Sequence, residues 1–293
     1  KDKMAFTAET AAAEEDYSDA VGRTERKQAL IAADRVEALA ATLDLDNAPG
    51  EGDDLPPGWH WIFFNPFVRR SGLGSDGHPK RGGFLPDVKL PRRMWAGGRL
   101  TFHEALPIGA QAIRESEIAN VTAKSGRAGQ LVFVTVRHAI MHEGRLCLEE
   151  EQDIVYREAP APDAPKPQPT PAPDGAEWSE QVAPDPVLLF RYSSLTSNGH
   201  RIHYDRPYAQ NEEGYRDLVV HGPLISTLLQ GLACRCRPDD KLSGFDFRGM
   251  APLFVDRGFH VEAAAGEGPD ELSLWARGPD GELAMKADAR FLS

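Results

Sequence analysis

Between Ala159 and Ala176 the chain reads APAPDAPKPQPTPAPDGA. Proline falls at nearly every second position there, and no apolar period runs through it. Such a composition predicts an extended, semi-rigid connector rather than a core segment. It divides the 293 residues into an N-terminal part, 1–158, a connector, 159–180, and a C-terminal part, 181–293. Over the whole chain, 41% hydrophobic and 27% charged residues are enough for a globular core.

On each side of the connector the hydrophobic pattern predicts a helix and a set of antiparallel strands. In the N-terminal part, Thr24 to Leu43 reads as an amphipathic helix, with Leu30, Ala33, Val36, Leu39, Ala40 and Leu43 at helical spacing. Trp59 to Phe67 (WHWIFFNPF) reads as a strand, and a Gly-, Pro- and Arg-rich segment follows to Pro91. Loops of that length in compact domains are usually functional or disordered. Further strands are expected at Arg99–Glu104, Ala110–Thr122, Gly129–His142 and Arg145–Tyr156; Val132, Val134 and Val136 alternate as one sheet face requires.

In the C-terminal part, Val187–Tyr192 reads as a strand. Pro223–Cys236 (PLISTLLQGLACRC) reads as a buried helix with proline in its first turn. Strands are expected at Leu242–Arg248, Arg257–Ala265, Glu271–Arg277 and Glu282–Phe291, the last two joined by Gly278-Pro279-Asp280-Gly281. One helix wrapped by a curved antiparallel sheet, twice in one chain, is an α+β double hot-dog fold.

The chemistry concentrates in Asn198-Gly199-His200-Arg201-Ile202-His203-Tyr204-Asp205 and in Val219-Val220-His221-Gly222-Pro223. Together these resemble the signature of the MaoC-like (R)-specific hydratase family: an acid or amide, then His-x-Asp, then a hydrophobic-His-Gly that opens the central helix. The subgroup they resemble most is hydroxyacyl-thioester dehydratase type 2 and its bacterial relatives. Gly82-Gly83-Phe84-Leu85-Pro86, Leu90-Pro91-Arg92-Arg93-Met94-Trp95-Ala96-Gly97-Gly98 and Gln152-Asp153-Ile154-Val155-Tyr156-Arg157 support that likeness in the N-terminal part. The resemblance implies a hydro-lyase acting on a short acyl-CoA thioester, with branched dicarboxylyl esters such as mesaconyl-CoA and itaconyl-CoA as the substrate class. Dehydration of 3-hydroxyacyl thioesters in fatty-acid synthesis is the near alternative. A hot-dog thioesterase and a non-catalytic acyl-binding protein are the alternatives from other classes. The Pro223–Cys236 helix carries no acid, which counts against thioester hydrolysis.

Hydration of a conjugated thioester needs a base for water, a proton for the α-carbon and donors for the enolate oxygen. His203 fits the first task, because imidazole exchanges protons near neutrality. Asn198 would hold the water through its amide. The Gly222 N–H, at the positive end of a helix, would face the thioester oxygen. Asp205 is expected either to support His203 or to cap the helix before Pro207. Most of the family carries Asp where this chain has Asn198; an amide cannot accept a proton, so the reading favours a single-histidine mechanism. Arg201, Arg92, His221 and Gln230 are the candidate substrate contacts, Gln230 standing where many relatives have Ser. Arg69, Arg70, Arg81, Arg93, Arg99, Arg191 and Arg206 are further cations that could meet phosphates or an acyl carboxylate. His200 is expected to serve local structure. The N-terminal part lacks the signature and is expected to shape the acyl pocket.

The formal net charge of −12 argues against nucleic-acid binding, which needs a basic surface. No apolar run reaches the roughly 20 residues of a membrane span, and the acidic N-terminus lacks the form of a secretory signal. Three cysteines, Cys147, Cys234 and Cys236, fit a reducing compartment and form no zinc pattern. A cytoplasmic protein is expected, with an acyl-CoA as its small-molecule partner and a homodimer left open. Walker, Gly-x-Gly-x-x-Gly and zinc motifs are lacking, so the sequence predicts neither a bound cofactor nor a metal.

Overall fold

A computed structural model of the chain describes residues 17–126, 129–159 and 168–292. The first sixteen residues of the N-terminal part and the middle of the connector, 160–167, lie outside the described residues. The elements run β1 (Thr24–Leu30), α1 (Ala33–Thr42), β2 (Arg92–Phe102), β3 (Gln111–Gly126), β4 (Gly129–His142), β5 (Arg145–Arg157), β6 (Trp178–Val182), α2 (Pro186–Leu195), α3 (Arg206–Asn211), α4 (Gly222–Cys236), β7 (Lys241–Gly249), β8 (Phe259–Ala265), β9 (Glu271–Arg277) and β10 (Leu283–Leu292).

The ten strands form one antiparallel sheet in the order β1-β3-β4-β5-β2-β7-β10-β9-β8-β6. The left five and the right five follow the same plan. Each half begins with its outer edge strand, inserts its helices, adds the strand at the shared seam, and fills the gap with the remaining three in order. The two halves meet where β2 pairs with β7, Gly97 opposite Arg248 through Thr101 opposite Gly244. The two expected sheets are thus one continuous sheet built on a structural duplication. α4 lies against β7, β8, β9 and β10, and α1 lies against α2. Leu224, Ile225, Leu229, Leu232 and Ala233 of α4 enter the same core as Ile31, Val36 and Leu39 of the N-terminal half.

Three elements depart from the sequence reading. The expected helix Thr24–Leu43 is split: Thr24–Leu30 pairs in full register with β3, and its residues alternate between exposed and half-buried. Pairing on an open sheet edge overrides the helical propensity of so short a segment. Trp59–Ile62 is a 3₁₀ turn, entered through Gly58 at φ 81°, and its aromatic side chains are buried against the core. Val187–Tyr192 lies inside α2, whose start is set by Asp185 accepting from the Leu188 N–H at 2.7 Å and by Pro186 in the first turn. That capping signal is legible in the sequence and outweighs the apolar run.

Past the described gap, the proline segment docks on the β9–β10 turn. Pro171 bridges Glu282, Ala172 N–H donates to the Gly281 carbonyl at 2.8 Å, and Ala172 is buried with Trp275 and Leu283. The end of the expected connector is already strand β6, paired with β8.

Candidate active site

The site is assembled where the segment 198–205, the start of α4 and a loop of the N-terminal half meet. His203 closes a 3₁₀ turn, Arg201–His203, and is 6% exposed. Its Nδ1–H donates to the Val219 carbonyl at 2.7 Å, which leaves Nε2 as the nitrogen without a proton. The ring stacks on His221, centroids 3.6 Å apart and planes at 17°. Because His221 precedes Gly222 in the chain, this stacking fixes the His203 ring beside the mouth of α4. Burial drives the His203 pKa down to about 3, partly offset by the Val219 bond and reinforced by the charges of His200 and His78. The resting ring is therefore neutral.

His221 is fully buried and caps α4 with extended backbone. It shares a 2.8 Å hydrogen bond with the Ser193 hydroxyl through Nε2. Burial, then the neighbouring His203 and His200, push its pKa well down. It is a neutral platform for His203. Gly222 opens the helix, and a Cβ placed there would meet nothing within 4 Å. Neither its backbone nor its packing demands glycine.

Asn198 sits after the Ser197 turn, whose φ is 52°, and its Oδ1 accepts from the His200 N–H at 3.0 Å. Its amide is therefore oriented by the same loop that carries His203. Asp205 is occupied otherwise. Its Oδ1 accepts from the Tyr208 N–H at 3.1 Å as the cap of α3, and Oδ2 accepts from Arg201 Nε and Nη2 at 3.0 and 2.8 Å. The Arg201 and Tyr208 donors hold its carboxyl below the usual range. Arg201 spends its third nitrogen on the Ser75 carbonyl at 3.0 Å and lies over the Tyr208 ring. Arg92 donates to the Glu213 carbonyl at 2.7 Å and faces its carboxylate at 3.8 Å. The structure ties both candidate arginines to protein partners. Gln230 is fully buried on α4. Its Nε2 faces the Ser226 carbonyl and hydroxyl at 3.4 and 3.3 Å, its Oε1 has no partner among the described residues, and the Gly58 backbone closes over it.

The sequence reading missed the contribution of the N-terminal loop 74–78. Gly77, at φ +88°, approaches Gly199 so closely that a Cβ would lie 1.9 Å from the Gly199 carbonyl oxygen, and Arg201 N–H donates to the Asp76 carbonyl at 2.9 Å. This docking brings in His78, whose Nδ1 bonds Asp76 Oδ2 at 3.0 Å. The His78 ring lies 4.2 Å from His200, which in turn meets His203 edge-on at 5.6 Å. Burial, with the Arg93 and His200 charges, lowers the His78 pKa to about 4 against the pull of Asp76. Although burial pushes it up, the bond and charge of His78 hold the Asp76 carboxyl well below its usual range. Donor atoms of Asp76, His78 and His200 lie within 4.8 Å of one another, a spacing an ion could use, but Asp76 and His78 already spend theirs on each other. Only the Asp-Gly-His run hinted at a turn here; its pairing with 198–201 spans over a hundred residues and has no local signature.

Comparison with known proteins agrees with this architecture. The model of the family "Hydroxyacyl-thioester dehydratase type 2" matches residues 58–255. Mesaconyl-C(4)-CoA hydratase of Chloroflexus aurantiacus is 51% identical over 276 residues, 93% of this chain and 96% of that protein. The mitochondrial hydroxyacyl-thioester dehydratase type 2 of Schizosaccharomyces pombe is 27% identical, over 71% of this chain and 77% of that one. Among solved structures, HtdX of Mycobacterium tuberculosis superposes with a TM-score of 0.65 at 17% identity, covering 92% of this chain and 100% of that one. A second M. tuberculosis protein, described as a double hotdog fold, superposes with a TM-score of 0.55 at 16% identity, over 93% and 96% of the two chains. The chain belongs to the hydroxyacyl-thioester dehydratase type 2 family and is a hydro-lyase of double hot-dog fold.

Proposed function

We propose that the protein catalyses reversible hydration of a short, branched dicarboxylyl-CoA thioester of the mesaconyl-CoA type. The observation that carries this reading is the buried His203 ring, whose Nδ1–H is held by Val219 and which stacks on His221, the residue before Gly222, where a Cβ would meet nothing within 4 Å. The substrate class is supported by the 51% identity, over nearly the full length of both chains, to mesaconyl-C(4)-CoA hydratase.

In the hydration direction His203 Nε2 takes a proton from a water held by the Asn198 amide. The water oxygen bonds the β-carbon as the conjugated electrons move to the thioester oxygen. The Gly222 N–H, at the positive end of α4, meets that developing charge. The α-carbon then takes the proton from His203, and the ring returns to its neutral state. One residue serves as base and acid in turn because Asn198 cannot accept a proton. Asp205 and Arg201 act at a distance, by fixing α3 and the loop 74–78 around the histidines.

The test is a panel of enoyl-CoA esters, including mesaconyl-, itaconyl- and long-chain enoyl-CoA, followed by loss of the conjugated-thioester absorbance. Turnover of mesaconyl-CoA that disappears in His203→Ala is expected. Preference for long-chain substrates would instead favour fatty-acyl dehydration, and full activity of His203→Ala would refute the site.

A further inference from the structure

Arg92 and Arg93 stand side by side at the start of β2, and the fold uses them differently. Arg92 is bound to Glu213. Arg93 is half-buried, and its cross-strand partner is Tyr156 on β5, so the two side chains share one face of the sheet. Tyr156 is 0% exposed; its hydroxyl makes no hydrogen bond of full geometry among the described residues, and the Arg93 guanidinium is the donor that faces it, working against the rise in its pKa that burial causes. Arg81 lies over the Tyr156 ring at 5.4 Å, but its own donors go to the carbonyls of Val88, Leu90 and Pro91. Arg93 is in no ion pair with a carboxylate of the described residues, whereas Arg92, Arg99 and Arg201 all are. Its charge reaches His78, the N-terminal contribution to the histidine cluster.

A half-buried guanidinium without a carboxylate partner among the described residues, facing a buried hydroxyl and close enough for its charge to act on His78, is a site that an anion completes. We propose that Arg93 and Tyr156 bind an anionic group of the thioester substrate. The proposal rests on the hydratase reading above and adds the residues that select the ligand. Two groups on such a substrate have this chemistry: the free carboxylate of a dicarboxylyl acyl chain and a phosphate of CoA.

Three substrates separate the sources: mesaconyl-CoA carries both anions, crotonyl-CoA only phosphates, and mesaconyl-pantetheine only the carboxylate. If the site takes the carboxylate, Arg93→Met raises KM at least tenfold for both mesaconyl esters and leaves crotonyl-CoA within twofold. If it takes phosphate, the rise appears with both CoA esters and spares the pantetheine ester. Tyr156→Phe removes only the hydroxyl; it is expected to raise the same KM values threefold or more, and serves alone if Arg93→Met does not fold. Unchanged KM for all three substrates, in either folded variant, overturns the proposal. His203→Ala, run beside them, reports on the hydratase reading itself, so the two failures are distinguishable.

Discussion

Replacing His203 by Ala should cost activity and, in acid, relieve the fold. An unfolded histidine titrates at about 6.5, while burial holds the folded ring near 3. Between those values the unfolded chain binds a proton that the folded one refuses, so stability is full above pH 6.5 and falls as pH drops toward 3. At pH 5 the gap is about 1.5 pH units; at 1.36 kcal/mol per unit, His203 alone removes about 2 kcal/mol relative to pH 8. The variant loses the Val219 bond and the stack on His221, a deficit of about 1–3 kcal/mol at pH 8. Its further decline from pH 8 to pH 5 should nevertheless be about 2 kcal/mol smaller than that of the parent protein. Urea unfolding at pH 8, 6.5 and 5 measures both declines, with hydration rates at pH 8 expected to fall by about 10²–10⁴. Equal acid declines in the two proteins would refute the assignment of His203 as a buried neutral base.

Substitutions at three other positions test the remaining geometry. Gly222→Ala meets open space, so the melting curve should stay within about 0.5 kcal/mol of the parent while kcat/KM falls at least tenfold; unchanged kinetics would mean that the thioester lies elsewhere. Gly77→Ala places a Cβ 1.9 Å from the Gly199 oxygen at φ +88°; strain of about 1–3 kcal/mol and loss of turnover are expected, and parental rates would show that the loop 74–78 does not hold the site together. Glu150 is 2% exposed and accepts from His60, Trp61 and Gln152 at 3.1, 2.8 and 2.9 Å. Despite burial, the His60 contact lowers its pKa to about 2, so its contribution is full above about 4.5 and is lost as pH falls toward 2. Glu150→Ala should cost about 3–5 kcal/mol in denaturant at neutral pH, and Glu150→Gln, which can keep the Trp61 and Gln152 bonds, clearly less; equal losses would contradict that bonding scheme.

Local patterning determined what local forces decide. The alternation in Gly129–His142 marks a strand, and the mostly apolar α4 with Pro223 in its first turn marks a buried helix. The spacing of Asn198, His203 and Gly222 was likewise legible, since these residues sit on one loop and the next helix entrance. Three matters needed the tertiary structure. Thr24–Leu30 became a strand only because β3 offers it an edge. The fates of Arg92 and Arg201 depended on carbonyls distant in the chain. His78 entered the site because Gly77 and Gly199, 122 positions apart by number, pack backbone to backbone. Hydrogen bonds and turns are written over a few residues, whereas partners across a sheet seam or between loops are chosen by how the whole chain closes on its core.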